Sequence, residues 1–272
     1  MGKFDGVLLV SDLDGTLLQK NQCISRQNRE AIKRFVDEGG IFTYVTGRIL
    51  AGVRPILRQM IPDAPIGCIN GGGLYDLKNE KYVWTIPLDP SAEEIVNFVM
   101  EEFPEVGIEL CGFHGAWFLR SNALTEEHRA LEETENISAS YCDVADQIGK
   151  LLFIIEKERM PILVEALSKH HLADRFTFVQ SWSSYYEVLP KEVSKGNGVL
   201  RLADLLGIDR KRTISVGDND NDVSMLQMAG YGVAVANATA GAKEAADLVL
   251  THTNEESAIA ELIERLEREL PF

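Results

Sequence analysis

Short apolar runs alternate with helix-patterned segments at both ends of the chain and stop doing so in its middle, and this broken alternation narrows the choice of folds most. Residues 7–11, 41–46 and 66–69 read as strands. A helix with Ile32, Phe35 and Val36 on one face follows Ser25 as its N-cap and stops at Gly39-Gly40, and a second is expected over 49–60 despite Pro55. From Lys195 the alternation returns with a helix through 200–206, a strand at 213–216, a helix through 223–228 and a strand at 232–235. A short helix ending near Ala245, a strand at 248–250 and an amphipathic helix from Glu255 close the chain. Strands alternating with helices imply a parallel sheet. After about Tyr82 the runs 107–111, 116–119, 151–155, 177–182 and 185–189 crowd together, with helices near 93–103, after Thr125 and around 162–167, a density that suits antiparallel pairing. The expectation is an α/β core over residues 1–82 and 190–272, interrupted by an inserted α/β (α+β) domain over 83–189.

Composition removes several function classes. With 272 residues and 45% hydrophobic content, the chain is long enough for one or two domains with a real core. Its 42 acidic against 27 basic side chains, net charge -15, repel phosphate backbones and anionic lipid, so neither nucleic acid nor membrane is an expected partner. No apolar run approaches the roughly 20 residues of a membrane helix. Cys23, Cys68, Cys111 and Cys142 form no CxxC pair and nothing before Asp12 resembles a signal peptide, which fits a reducing cytoplasm. The triplets starting at Asn136 and Asn237 then read as chance matches to a glycosylation signal.

The strongest chemical signal is Asp12-Leu13-Asp14-Gly15-Thr16 at the end of the first strand, where open α/β sheets gather ligand groups. One carboxylate can attack phosphorus while the other protonates the leaving group, with Gly15 making the turn between them. The run from Gly217 to Asp222 follows another strand, and its packed carboxylates and amides call for a hard cation. A calcium loop is excluded, because its glycine and glutamate positions hold Val223 and Ala229. Thr46-Gly47-Arg48 offers a hydroxyl and N–H groups to an oxyanion, and Lys195 offers an ammonium.

Taken in order, these four motifs resemble the haloacid dehalogenase superfamily of phosphohydrolases, and within it the Cof-type phosphatases with a large cap between the second and third motifs. Asn70-Gly71-Gly72, Ser194-Lys195-Gly196 and Asn237-Ala238 are similar to the same subfamily. Glu192, where relatives often carry glycine, and the extra acid Asp220 depart from its pattern. The resemblance implies a Rossmann-like doubly wound core and a Mg²⁺-dependent phosphatase for small phosphorylated metabolites, sugar phosphates first among them, acting as monomer or homodimer. It implies Asp12 as nucleophile and Asp14 as general acid and base, with Mg²⁺ held by Asp12, the Asp14 carbonyl and Asp218. Leu13, Thr46, Gly47, Lys195 and Asn221 would hold the phosphoryl oxygens, and Asp222 would orient Lys195 or the metal waters. An aspartate at position 14 argues for ester hydrolysis or a mutase, since the dehalogenases and ion-pump ATPases lack a carboxylate there.

Substrate choice is expected in the inserted domain, where His114, Trp117, Arg120, Trp182, Tyr185, Tyr186 and Glu187 are candidates beside the plainer reading of core and cross-strand pairs. His114, His128, His170, His171 and His252 show no metal spacing that joins the carboxylate motifs and read as surface or locally satisfied. A phosphomutase of the phosphomannomutase type and a non-catalytic phosphoaspartate switch are the alternatives, the latter disfavoured by a lid of about a hundred residues that a receiver does not need.

Overall fold

A computed structural model describes residues 2–135 and 137–272, so Asn136 of the first triplet lies outside the described residues. The chain begins β1 (Leu8–Ser11), α1 (Arg26–Asp37), β2 (Ile41–Tyr44), α2 (Leu50–Leu57), β3 (Ile66–Cys68), β4 (Gly73–Asp76) and β5 (Lys81–Thr85). It continues α3 (Ala92–Glu102), β6 (Gly107–Gly112), β7 (Ala116–Arg120), α4 (Ala123–Leu131), α5 (Tyr141–Val144), β8 (Ile148–Ile154), α6 (Met160–Ser168), β9 (Phe176–Trp182) and β10 (Tyr185–Pro190). It ends α7 (Lys195–Leu206), β11 (Thr213–Gly217), α8 (Val223–Met228), β12 (Tyr231–Ala234), α9 (Ala240–Ala245), β13 (Leu248–Val249) and α10 (Ala258–Arg268). Two compact units divide it, one of Met1–Thr46, Pro55–Val83 and Ser194–Phe272, the other of Gly47–Arg54 and Trp84–Val193.

The first unit is built on a parallel sheet in the order β13-β12-β11-β1-β2. All four residues of β1 are buried, which a strand covered on both faces requires and which makes it a continuous apolar run in the sequence. Ser25 caps α1 by accepting from the Asn28 N–H at 3.1 Å, and the helix packs Ala31, Ile32 and Phe35 inward. The parallel arrangement brings the carboxyl ends of β1, β2 and β11 to one edge, where the motif loops begin.

The third expected strand departs from that sheet. β3 pairs antiparallel with β4 in a small sheet ordered β3-β4-β5, and the Val45–Gly67 bridge ties it to the end of β2. The cause is local. Asn70 and Gly71 adopt φ of 52° and 83°, so the chain turns back immediately after Cys68 instead of crossing over to a parallel neighbour.

The second unit holds an antiparallel sheet in the order β7-β6-β8-β10-β9. One face, with Ile108, Leu110, Leu151, Phe153, Tyr186 and Val188, joins α3 and α6 in an apolar core. The other carries Glu109, Cys111, Lys150 and Glu187, also buried. Arg120, a candidate for substrate contact, is committed elsewhere: its guanidinium donates to the carbonyls of Val99, Met100, Phe103 and Val106 at 2.7–3.2 Å, closing the end of α3. Tyr186 is core, whereas Trp182 is 64% exposed. Among the described residues no helix is long and apolar enough to cross a membrane.

Within the first unit, α7 reaches the Asn70–Gly71 turn through two glycines. A β-carbon on Gly198 would stand 2.8 Å from the Gly71 α-carbon, closer than packed side chains come. Gly198→Ala should therefore destabilise the protein by roughly 1–3 kcal/mol, read as a lower urea midpoint; an unchanged midpoint would show that the two backbones stand further apart.

Candidate active site

Asp12 directly follows β1 and is 4% exposed, its N–H bonded to the Val216 carbonyl of β11 at 2.9 Å. The chain then turns sharply. The Leu13 carbonyl accepts from Leu17 and Leu18, leaving Leu13 buried and Asp14 exposed. Gly15 takes φ of 79° and faces Asp218 so closely that a β-carbon would collide with its carboxylate. Its carbonyl accepts from Asn237 Nδ2 at 2.8 Å, and Thr16 Oγ1 donates to Asp218 Oδ1 at 2.6 Å.

Lys195 opens α7, which Ser194 caps by accepting from the Asn197 N–H at 3.1 Å. Its ammonium is 2% exposed and donates to Asp12 Oδ1 at 2.6 Å and Asp222 Oδ1 at 2.5 Å. The other Asp222 oxygen accepts from the N–H groups of Asp218 and Asn219 at 2.8 and 2.9 Å. Asp222 thus fixes both the lysine and the loop after β11.

Carboxylate oxygens of Asp12, Asp218 and Asp222 lie within 4.8 Å of one another. Three acids crowd around one ammonium, and the imbalance shows in the titration of Asp12 and Asp218. Burial pushes the Asp12 carboxyl well above its usual range, helped by Asp222 and only partly countered by Lys195. Burial and Asp222 push Asp218 up to about 7. Burial alone would lower Lys195, but Asp12 and Asp222 outweigh it and hold the ammonium charged. An all-oxygen donor set with excess negative charge fits a hard divalent cation, which would restore neutrality.

Thr46, 1% exposed, follows β2, and its N–H bonds to the Gly67 carbonyl at 2.9 Å. Asn70 received no role from sequence alone, yet it links two elements expected to bind phosphate. Its N–H donates to the Thr46 carbonyl at 2.8 Å, and its side-chain oxygen faces Asn221 Nδ2 at 3.4 Å. The signal available in advance was an asparagine preceding glycines, a sequence suited to left-handed turns. Gly47 falls in the second unit, where its carbonyl accepts from Lys150 at 2.9 Å. Asp220, the extra acid, is exposed and accepts from Thr239 Oγ1 at 2.8 Å.

A comparison with known families finds that the pattern of one, the haloacid dehalogenase-like hydrolases, matches residues 9–263. The chain belongs to this family. Within the haloacid dehalogenase-like hydrolases it is of the Cof type and a phosphoric monoester hydrolase. It is 31% identical over 280 residues to a Bacillus subtilis 5-amino-6-(5-phospho-D-ribitylamino)uracil phosphatase, covering 94% of this chain and 96% of that one. A haloacid dehalogenase-like hydrolase from Bacteroides thetaiotaomicron superposes with a TM-score of 0.83 at 26% identity, covering 96% of this chain and 99% of the other. A subclass IIB sugar phosphatase of the family, 20% identical over 96% of this chain and 99% of its own, shares the fold with a TM-score of 0.82.

Asp222→Ala should leave a buried ammonium with one partner and two loop N–H groups with none. A loss of roughly 3–5 kcal/mol is expected in chemical denaturation; a loss under about 1 kcal/mol would mean that the loop is held by other contacts.

Proposed function

We propose that this phosphatase is Mg²⁺-dependent and hydrolyses phosphate monoesters of small metabolites, sugar phosphates first among them, through an aspartyl-phosphate on Asp12. The observation that carries the reading is the buried contact of Asp12 with Lys195 at 2.6 Å, beside the carboxylates of Asp218 and Asp222. The name of the Bacillus subtilis relative, a phosphatase of a phosphorylated ribityl compound, supports a substrate whose phosphate sits on a polyol chain.

In this reading an Asp12 oxygen attacks phosphorus as the ester P–O bond breaks, and Asp14 gives its proton to the departing alkoxide. Asp14 then takes a proton from water, which attacks the phosphorus of the acyl phosphate and frees inorganic phosphate and the Asp12 carboxylate. Lys195, the Thr46 hydroxyl, Asn221 and the N–H groups of Leu13 and Gly47 hold the phosphoryl oxygens as charge redistributes. Asp12, Asp218 and the Asp14 carbonyl would hold Mg²⁺, which when bound offsets the repulsion between nucleophile and phosphate dianion. The unit containing 84–193 acts as a cap that excludes water during transfer and selects the leaving group.

Phosphate release from sugar phosphates, ribityl phosphates, flavin mononucleotide and pyridoxal phosphate, with and without Mg²⁺, tests this directly. Wild type should release phosphate only with metal, Asp12→Asn should release none, and Lys195→Ala should be slower by on the order of 10²-fold or more. Transfer of phosphate between sugar positions without release would instead identify a mutase.

The raised carboxyls give a second readout, independent of turnover. Unfolded aspartates ionise near pH 3.9, so between about pH 4 and 7 the folded chain holds more protons than the unfolded one. Without metal, stability should therefore fall as pH rises through that window. The Mg²⁺-induced rise in Tm should be larger at about pH 8 than at about pH 5, because binding must displace those protons at the lower pH. An equal rise at both values would place the cation away from Asp12 and Asp218.

A further inference from the structure

The loop expected to hold the phosphoryl group divides after Thr46. Thr46 belongs to the first unit and is bonded there on both sides, its N–H to the Gly67 carbonyl at 2.9 Å and its carbonyl to the Asn70 N–H at 2.8 Å. Residues 47–54 belong to the second unit. Gly47 has the freest backbone of this loop, because glycine has no β-carbon to restrict its dihedral angles. Its carbonyl is fixed by a side chain 103 residues further along the chain, where Lys150 Nζ donates to it at 2.9 Å.

Lys150 is buried on β8, a strand that is buried throughout and otherwise uncharged. Burial alone would neutralise the ammonium, but Glu187 outweighs it and keeps the charge. Glu187 lies diagonal to Lys150 on the neighbouring β10 and accepts from it at 2.9 Å, while the same oxygen accepts from Ser181 Oγ of β9 at 2.8 Å. Stability does not require such a pair, since apolar side chains of similar volume commonly serve a core as well or better. Aiming an ammonium at one carbonyl is what this pair does and apolar side chains cannot. A second hold acts on the same segment. Arg48 donates to the Gly52 carbonyl at 3.0 Å, and a β-carbon on Gly52 would stand 2.9 Å from the carboxyl carbon of Glu132, at the end of α4. Burial raises the Glu132 carboxyl, and the neighbouring His128 and Arg48 act against that rise.

We propose that Lys150, held by Glu187, is a positioning residue for phosphoryl transfer: by fixing the Gly47 carbonyl it sets the direction in which the Gly47 N–H meets the phosphoryl group. The inference rests on the role proposed above for that N–H, and it adds that a strand of the inserted domain sets half of the phosphate loop. Lys150 acts through the backbone and not on the leaving group, so losing its contact should affect every ester alike.

The test compares wild type with Lys150→Met and with Lys150→Met/Glu187→Met, the double variant leaving no buried carboxylate without its cation. Folding is checked by far-ultraviolet circular dichroism and the urea midpoint. With Mg²⁺, kcat for p-nitrophenyl phosphate, a hexose phosphate and a ribityl phosphate should fall by one common factor, about 10- to 100-fold, in both variants. A fall confined to one ester would make Lys150 a substrate contact, and a wild-type kcat in the folded double variant would make the pair structural only. Either result overturns the proposal, while Asp12-dependent release by wild type still upholds the phosphatase reading. A second readout needs no turnover. In protein carrying isotopically labelled glycine, the Gly47 amide resonance, assigned by its loss in Gly47→Ala, should shift on titration with inorganic phosphate and Mg²⁺. The double variant should show an affinity weaker by about tenfold. No shift at Gly47, or equal affinity in the folded double variant, overturns the proposal even if no ester is hydrolysed. The predicted shifts without phosphate release from any ester would defeat the phosphatase reading and leave the positioning of the Gly47 N–H standing.

Discussion

One buried ammonium among three carboxylates sets the conditions for the first unit. Lys195 has to stay charged because Asp12 and Asp222 contact it at 2.6 and 2.5 Å, and those acids cannot all ionise comfortably around a single cation. The parallel sheet makes the grouping possible by bringing the ends of β1 and β11 together. The capped start of α7 supplies the ammonium, and the glycine contact with the Asn70 turn lets that helix approach. Charge crowding of this kind is destabilising by itself and is retained where chemistry needs it.

The same crowding makes the cluster receptive to ligands that bring or redistribute charge. On the proposed reading, a divalent cation would neutralise the excess acid, and a phosphoryl group approaching Asp12 would meet an ammonium already in position. Asp222 contributes by holding geometry: one oxygen orients Lys195 and the other ties down two backbone N–H groups. These contacts are in place without a ligand, which is what electrostatic preorganisation of the proposed reaction demands.

The motif residues were legible in the sequence because each sits where a buried apolar strand or a capped helix begins or ends, a local signal that needs no knowledge of partners. The α/β core and the run of antiparallel strands were legible for the same reason. The β4–β5 pair was not, because β4 starts inside the glycine cluster and β5 is short and exposed on alternate residues, so both look like loop. Nor was the reversal after Cys68, which depends on left-handed backbone at Asn70 and Gly71. The role of Arg120 at the end of α3 was not legible, because nothing in its sequence neighbours discloses that those carbonyls are within reach. His128 appeared unremarkable since its hydrogen-bond partner Glu109 lies on a different element, although the charges at Glu109, Lys150 and Glu187 inside otherwise apolar strands were a signal that one sheet face is polar.

The central claim is that Asp12 itself carries the phosphoryl group. The most direct measurement mixes Asp14→Asn with Mg²⁺ and a phosphate ester that wild type hydrolyses, quenches in acid, and reads the peptide containing Asp12 by mass spectrometry. The account predicts an acid-stable, hydroxylamine-labile phosphate on Asp12 that is missing when Asp12 is replaced by Asn. Wild-type turnover with no phosphate ever found on Asp12, or phosphate found on another residue, would contradict it.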